Sequence, residues 1–444
     1  MKIGIMNYYK TGCNWKGPDG EDLSPHDNVL KEYHIAIFDP EEFQPQPNDR
    51  VAFANGYKIF AIGIIGEAKG QPLNDALKAQ FIGKIPEKNL KQIYYYEVKW
   101  YDLPPANVIE YKEQKGCVRI GKGEVQRQIE EEILKNNQNA MLNEITSLLA
   151  ANHNIILTGA PGTGKTFLAK QVAAKLILGN DDKLPDNDRR LGFVQFHPSY
   201  DYTDFVEGLR PKNENGHVGF DLKNGIFKQF CKDALSKSDD KSDDKSDEKF
   251  VFIIDEINRG EISKIFGELF FAIDRGYRGE KGKVQTQYAN LIQDGDKFKD
   301  GFFVPKNVYI IGTMNDIDRS VESFDFAMRR RFVFREITAD DSATNMGLLG
   351  PTKARMKWLN NAIEDIEELN AAYHIGGSYF RKEDEQSKVV IEPNYDKLWT
   401  LKIAPLLKEY LRGMPNADAK LEKLKKAYDD GGRQPDNNAA HDGQ

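Results

Sequence analysis

The sequence predicts an α/β chain: a doubly wound parallel sheet, followed by a helical subdomain and preceded by a small β-rich module. Three observations carry that prediction. The runs "NIILTG", "FVQFH", "FVFIIDE" and "NVYIIGTMN" are short, apolar and separated by helical stretches, the pattern of parallel strands covered on both faces. The stretch "LTGAPGTGKTFLAK" passes from an apolar strand through a glycine loop into a helix. The flanks differ in texture from this middle part, and 444 residues is long enough for two or three domains, each with its own core.

Residues 1–122 favour strands, with Ile, Val, Phe and Tyr concentrated in "YHIAIFD", "DRVAFANGYKIFAIGIIGEA" and "IYYYEVKWYDL". Asn55-Gly56 lies between two apolar runs and marks a hairpin, because both residues tolerate positive φ. Residues 123–150 carry apolar residues at helical spacing and read as a helical linker. The α/β core occupies 151–340, and the helical subdomain 341–428 contains "MKWLNNAIEDIEELNAAY" and "YDKLWTLKIAPLLKEYLRG". The polar end, 429–444, is expected to be disordered. Within the core, "SKSDDKSDDKSDEK" has no apolar residue to bury and is expected to be a solvated loop.

Composition narrows the function classes. Cys13, Cys117 and Cys231 have no paired spacing, which argues against a disulfide framework or a zinc site. A net charge of -7 gives no general basic field, so any nucleic-acid contact needs a local patch. The mean hydropathy of -0.61 and the lack of a long apolar run or a secretory signal lead us to expect a cytoplasmic protein with no membrane partner.

The chemistry concentrates in four motifs. Gly159, Ala160, Pro161, Gly162, Thr163, Gly164, Lys165 and Thr166 form G-x-x-x-x-G-K-T, in which loop N–H groups and the following helix N-terminus cradle phosphate oxygens. Lys165 supplies a positive charge for the β and γ phosphates, and the Thr166 hydroxyl a ligand for magnesium. Next, "FVFIIDE" ends in Asp255, suited to holding magnesium, and Glu256, suited to polarising an attacking water. The third motif, "NVYIIGTMNDIDRS", offers Asn315 as a neutral hydrogen-bonding group, with Asp318 and Arg319 on the loop that follows. Last, "FDFAMRRRF" clusters Arg329, Arg330 and Arg331, a surface ion-pairing group or, in a ring NTPase, a source of an arginine finger.

In order, GAPGTGKT, DEIN, MNDIDRS and MRRRF resemble the motifs of AAA+ ring NTPases. The stretches "FVQFHPSYDYTDFVEGLRP", "DEINRGEISKIFGELF" and "GTMNDIDRSVESFDFAMRRRF" are similar to the McrB family, over residues 155–337 and more weakly beyond. The resemblance implies a homo-hexameric ring that hydrolyses GTP (or ATP) with magnesium. It also implies coupling of hydrolysis to DNA translocation and to a separate McrC-type nuclease in antiphage restriction. By the same resemblance Asp255 and Glu256 form the hydrolytic pair, Asn315 and Asp318 belong to the M-N-x-x-D-R loop, and Arg330 and Arg331 act in trans. Asp316-Ile317 stands where the family often has Thr-Ala, which weakens the inference of guanine over adenine. Tyr202, Asp204, Glu207 and Arg210 match a Y-x-D-F-x-x-G-x-R-P stretch to which the sequence assigns no role. A MoxR-like or dynein-related ATPase that remodels protein complexes is the alternative reading.

Pro47–Asp49 and Glu97–Lys99 echo a nuclease metal motif only loosely, and the expectation is that cleavage comes from a partner. The N-terminal module is similar to small PUA-like β-barrels, including EVE-type readers of modified bases. That similarity implies modified DNA as the target, with RNA open as the other ligand. Tyr9, Trp15, Tyr57 and Trp100 are candidates for an aromatic slot around a flipped base, or else ordinary aromatics of the barrel core.

Overall fold

The computed structural model describes residues 6–12, 27–82, 84–86, 89, 92–112, 117–121, 123–180, 182–185, 187–214, 217–235, 248–317, 326–384 and 390–432. Trp15, Asp318, Arg319, residues 236–247 of the Lys-Ser-Asp tract and residues 433–444 of the polar end lie outside them, whereas Asp429 and Asp430, expected in a disordered tail, close the helix Ala417–Asp430. The chain divides into two compact units, one running to Asn139 and the other starting at Ala140. Among the described residues no helix is long and apolar enough to cross a membrane.

The first unit is built on one mixed sheet. Its strands are β1 (Tyr8–Gly12), β2 (Ile35–Phe38), β3 (Arg50–Asn55), β4 (Lys58–Ile65), β5 (Gln71–Pro72), β6 (Tyr94–Asp102), β7 (Ile109–Glu110) and β8 (Cys117–Arg119). The order is β2-β6-β4-β3-β1-β8, with β5 on β6 and β7 on β4. Asn55-Gly56 turns β3 into β4, with Gly56 at φ 60°, which a β-carbon would disfavour. The expected barrel is seen as an open strand order, since β2 and β8 do not pair among the described residues.

Residues 123–150 are not a free linker. They lie within one helix, Gly123–Asn152, whose Val125, Ile129 and Ile133 complete the first unit's core against Ile59, Ile62 and Tyr101. Glu130 on this helix takes the Arg50 guanidinium at 2.6 Å and the Tyr8 hydroxyl at 3.3 Å, which pins the helix to β1 and β3. The later apolar positions Met141, Ile145 and Leu149 belong to the second unit's core.

The second unit holds a five-stranded parallel sheet: β9 (Asn154–Thr158), β10 (Leu191–Gln195), β13 (Phe250–Asp255), β14 (Val308–Thr313) and β15 (Val333–Glu336), ordered β10-β13-β14-β9-β15. Alternate strand residues point to opposite faces, and both faces are covered. Ile155, Leu157, Val251 and Ile253 pack against Leu168, Val172 and Leu176, whereas Ile156, Phe252, Ile254 and Ile310 pack against Phe205, Phe227, Phe266 and Leu269. This double coverage is why the strands read as unbroken apolar runs. Between β10 and β13 the chain makes an exposed hairpin, β11 (Glu207–Glu214) and β12 (His217–Asn224). C-terminal to the sheet, the helices Ala339–Asn345, Gly350–Glu364, Ala404–Tyr410 and Ala417–Asp430 enclose a separate core that includes Leu359, Ile363, Ile403, Leu407, Leu424 and Tyr428.

Candidate nucleotide site

The glycine loop joins β9 to the helix Lys165–Leu178. Gly159, Gly162 and Gly164 have φ of 138°, 74° and 81°, so only glycines hold this tight path without strain. Gly164 caps the helix, leaving the N–H groups of its first turn open to an anion. Lys165 is buried and donates to the carbonyls of Gly159 at 3.0 Å and Ala160 at 2.9 Å, and to the Thr163 hydroxyl at 3.2 Å.

At the ends of β13 and β14 the remaining groups converge. The Thr166 hydroxyl donates to Asp255 Oδ1 at 2.5 Å, and the Thr313 hydroxyl donates to the same oxygen at 2.7 Å. Thr313 also accepts from the Glu256 backbone N–H at 3.2 Å, so one buried hydroxyl orients both acidic residues. Glu256 adopts a left-handed conformation, φ 51°, that turns the chain out of the strand direction. Its Oε1 accepts from Asn315 Nδ2 at 2.8 Å, and its Oε2 pairs with Arg259 at 3.2 Å. A threonine hydroxyl and a carboxylate form a hard oxygen donor set, the kind magnesium takes.

Burial pushes the Lys165 ammonium down to about 8, against the opposing pull of Asp316, Glu256 and Asp255. A buried base with a lowered folded-state pKa costs stability, fully below about pH 8, and the cost fades as pH rises toward lysine's ordinary value of 10.5. Lys165→Met is therefore expected to abolish nucleotide binding yet stabilise the nucleotide-free protein at pH 7, by roughly 1–3 kcal/mol less whatever the three hydrogen bonds contribute. Urea denaturation at pH 7 and pH 9.5 checks this, since the gain shrinks at the higher pH.

The arginine cluster lies at the other end of the sheet. Asn154, the first residue of β9, donates its side-chain amide to the Arg331 carbonyl at 3.0 Å and to the Ile273 carbonyl at 2.8 Å. The phosphate loop begins after the last residue of the same strand, about 15 Å away at the rise of a β-strand. Arg331 lies over the Phe270 ring at 5.7 Å and Arg329 over the Phe334 ring at 5.4 Å. Arg330 is exposed and has no ion pair or ring contact among the described residues.

The Y-x-D-F stretch roots the exposed hairpin. Tyr202 donates to Glu268 at 2.5 Å, Asp204 pairs with Arg210 at 2.5 Å, and Glu207 forms a fully buried ion pair with Lys228 while accepting from the Tyr288 N–H at 3.0 Å. Of the proposed slot aromatics, Tyr9 is fully buried with its ring against Phe38 and Phe43, and Trp100 packs on Phe53 and donates to the Ile35 carbonyl at 3.2 Å. Both rings serve the core, whereas Tyr57 lies exposed at the β3–β4 turn, so these three do not line a shared slot. Asp49, of the loose nuclease motif, is buried and accepts from the backbone N–H groups of Asn7 and Gln46, while Glu97 is exposed.

Residues 154–332 match the family model of the AAA domain of the dynein-related subfamily, and residues 351–418 match that of the McrB alpha-helical lid domain. The chain is 37% identical over 278 residues to the type IV methyl-directed restriction enzyme EcoKMcrB subunit of Escherichia coli K12, covering 60% of this chain and 55% of the relative. The chain belongs to the McrB-like AAA+ family. It is also 27% identical over 218 residues to the type II restriction enzyme BsuMI component YdiS of Bacillus subtilis 168, covering 44% of this chain and 59% of that one. It thus spans little more than half the length of the curated relatives it matches. The solved structure of C. elegans PCH-2 aligns over 66% of this chain and 68% of that one at 14% identity, with a TM-score of 0.23 too low to support any argument.

Residues 154–332 are thus an AAA-type nucleotide-binding domain, with the helical subdomain as its McrB-type lid. Three features of the site were not found by motif. Thr313 stands as a lone polar residue at the end of an apolar strand, and that position is the signal that could have drawn attention to it. Arg259 follows Glu256 by three residues, too common a spacing to stand out. The lid residue Ser378, whose N–H donates to the Gly162 carbonyl, is more than 200 residues from the phosphate loop in sequence, beyond any local pattern.

Proposed function

We propose that this chain is the motor of a modification-dependent restriction system, a hexameric ring in which GTP hydrolysis drives DNA translocation and activates a separate McrC-type nuclease. The observation that carries the hydrolytic part is the Asn315 amide on the Glu256 carboxylate at the ends of β13 and β14, beside the phosphate loop. Lys165 exchanges its loop carbonyls for phosphate oxygens when nucleotide enters. Thr166 and Asp255 are the residues that would hold magnesium, which when bound neutralises phosphate charge. Glu256 takes the proton of the water that attacks the γ-phosphorus, and Asn315 holds that carboxylate toward the water. Asp318 belongs to the same loop by resemblance.

The distance between the arginine cluster and the chain's own phosphate loop supports a ring. Arg330 and Arg331 serve the site of a neighbouring copy, where a guanidinium stabilises charge developing on the transferred phosphoryl group. The first unit is read as the target-recognition domain, with modified DNA as its ligand and RNA as the competing one.

The reading is tested by comparing GTP with ATP hydrolysis by the purified protein, with particle mass measured by light scattering in each nucleotide. GTP-selective turnover by a nucleotide-dependent hexamer is the expected result. ATP-selective turnover with no stimulation by a co-purifying nuclease would instead favour the MoxR-like remodelling reading, consistent with the dynein-related AAA model that the core matches.

A further inference from the structure

The lid touches the outside of the phosphate loop through main-chain groups. Gly376 N–H donates to the Pro161 carbonyl at 3.0 Å, and Ser378 N–H donates to the Gly162 carbonyl at 3.0 Å. The two backbones are so close that a β-carbon on Gly376 would lie 2.1 Å from the Gly162 carbonyl carbon. One on Gly162 would lie 2.5 Å from the Tyr379 ring. These contacts use the outer carbonyls, leaving the loop's N–H groups for phosphate.

The strap is itself anchored deep in the lid. Asn360, buried on the helix Gly350–Glu364, accepts from Ile375 N–H at 2.8 Å and donates to the Ile375 carbonyl at 3.1 Å. The buried Ser342 hydroxyl accepts from Gly377 N–H at 2.8 Å. A continuous set of hydrogen bonds therefore runs from two lid helices, through residues 375–378, to the phosphate loop.

We infer that residues 375–379 of the lid are a positioning element of the nucleotide site, a strap that preorganises the phosphate loop and couples nucleotide occupancy to the lid. This rests on the reading of Gly159–Thr166 as a nucleotide-binding loop. A free glycine loop samples many conformations, and each N–H aimed at phosphate must be ordered at a cost in binding free energy. Two main-chain bonds on consecutive carbonyls and a ring over Gly162 remove much of that freedom beforehand. Coupling is reciprocal, so nucleotide that orders the loop must also tighten the strap.

Asn360→Ala removes the anchor without touching the loop, and Tyr379→Ala removes the ring over Gly162, with Tyr379→Phe as the conservative control. Affinity is read by fluorescence titration with N-methylanthraniloyl GTP and ATP, alongside kcat, KM and the urea midpoint. Both alanine variants are expected to raise Kd and KM by about tenfold with kcat within threefold of the starting protein, and Tyr379→Phe to restore the original Kd. In the unaltered protein, nucleotide should also slow amide exchange of the peptide covering 375–379. Unchanged Kd in both variants, even with a lowered urea midpoint, would reduce the strap to a folding contact and overturn the inference. Should Asn360→Ala fail to fold, Tyr379→Ala decides. Failure of the unaltered protein to bind either probe would instead overturn the nucleotide reading.

Discussion

Glu256→Gln is expected to lower kcat for nucleoside triphosphate hydrolysis by about 10²–10⁴-fold, the usual contribution of a positioned general base. Binding should survive. The amide is isosteric with the carboxylate and can still accept from Asn315 at the position of Oε1, while Asp255, Thr166 and Lys165 are untouched. What is lost is the ability to take a proton from water. The variant should therefore trap bound triphosphate and, on the ring reading, the assembled oligomer, observable as unchanged Kd with single-turnover hydrolysis nearly abolished. Turnover at the normal rate would remove Glu256 from the mechanism and with it the assignment of the second acidic motif.

Arg330→Ala is the second large effect. The cluster is tied through Asn154 to the start of β9, and the phosphate loop lies beyond its other end, so Arg330 is remote from the site in its own chain. Arg329 and Arg331 lie over aromatic rings, which leaves Arg330 as the exposed member with no ring contact or ion pair among the described residues. Loss of an arginine finger costs about 10³–10⁵-fold in kcat, because the guanidinium acts on charge that exists only in the transition state. Nucleotide affinity of the separated subunit should stay within a few fold. A steady-state assay combined with nucleotide titration separates the two, and the same substitution at Arg331 should cost less activity and more stability.

The α/β core was legible because its physics is local. Strands buried on both faces must be apolar throughout, and a phosphate loop needs glycines at fixed spacing, so β9, β13, β14 and the loop announce themselves. Asp255, Glu256 and Asn315 were legible for the same reason, each standing where an apolar strand stops. The hairpin β11–β12 was not, since its exposed strands mix Gly, Asn, Lys and Glu and carry no clean alternation. Its root became intelligible only when Glu207 met Lys228 and Tyr202 met Glu268, contacts set by tertiary packing. Aromatics in the first unit were ambiguous in principle: Tyr9 in a strand has the same signature whether it packs on Phe38 or lines an open slot. The lid strap joins Gly162 to Ser378, and no local pattern reports such a pairing.

The central claim is that each hydrolytic site is shared between two copies of this chain, with Glu256 from one and Arg330 from the next. Mixing inactive Glu256→Gln protein with inactive Arg330→Ala protein tests it most directly. Where the Arg330→Ala subunit supplies loop and Glu256, and the Glu256→Gln neighbour supplies Arg330, a complete site is rebuilt. The account predicts that hydrolysis returns on mixing, rises to a maximum near equal proportions and requires assembly. A mixture as inactive as its components, in rings shown to contain both proteins, would contradict it.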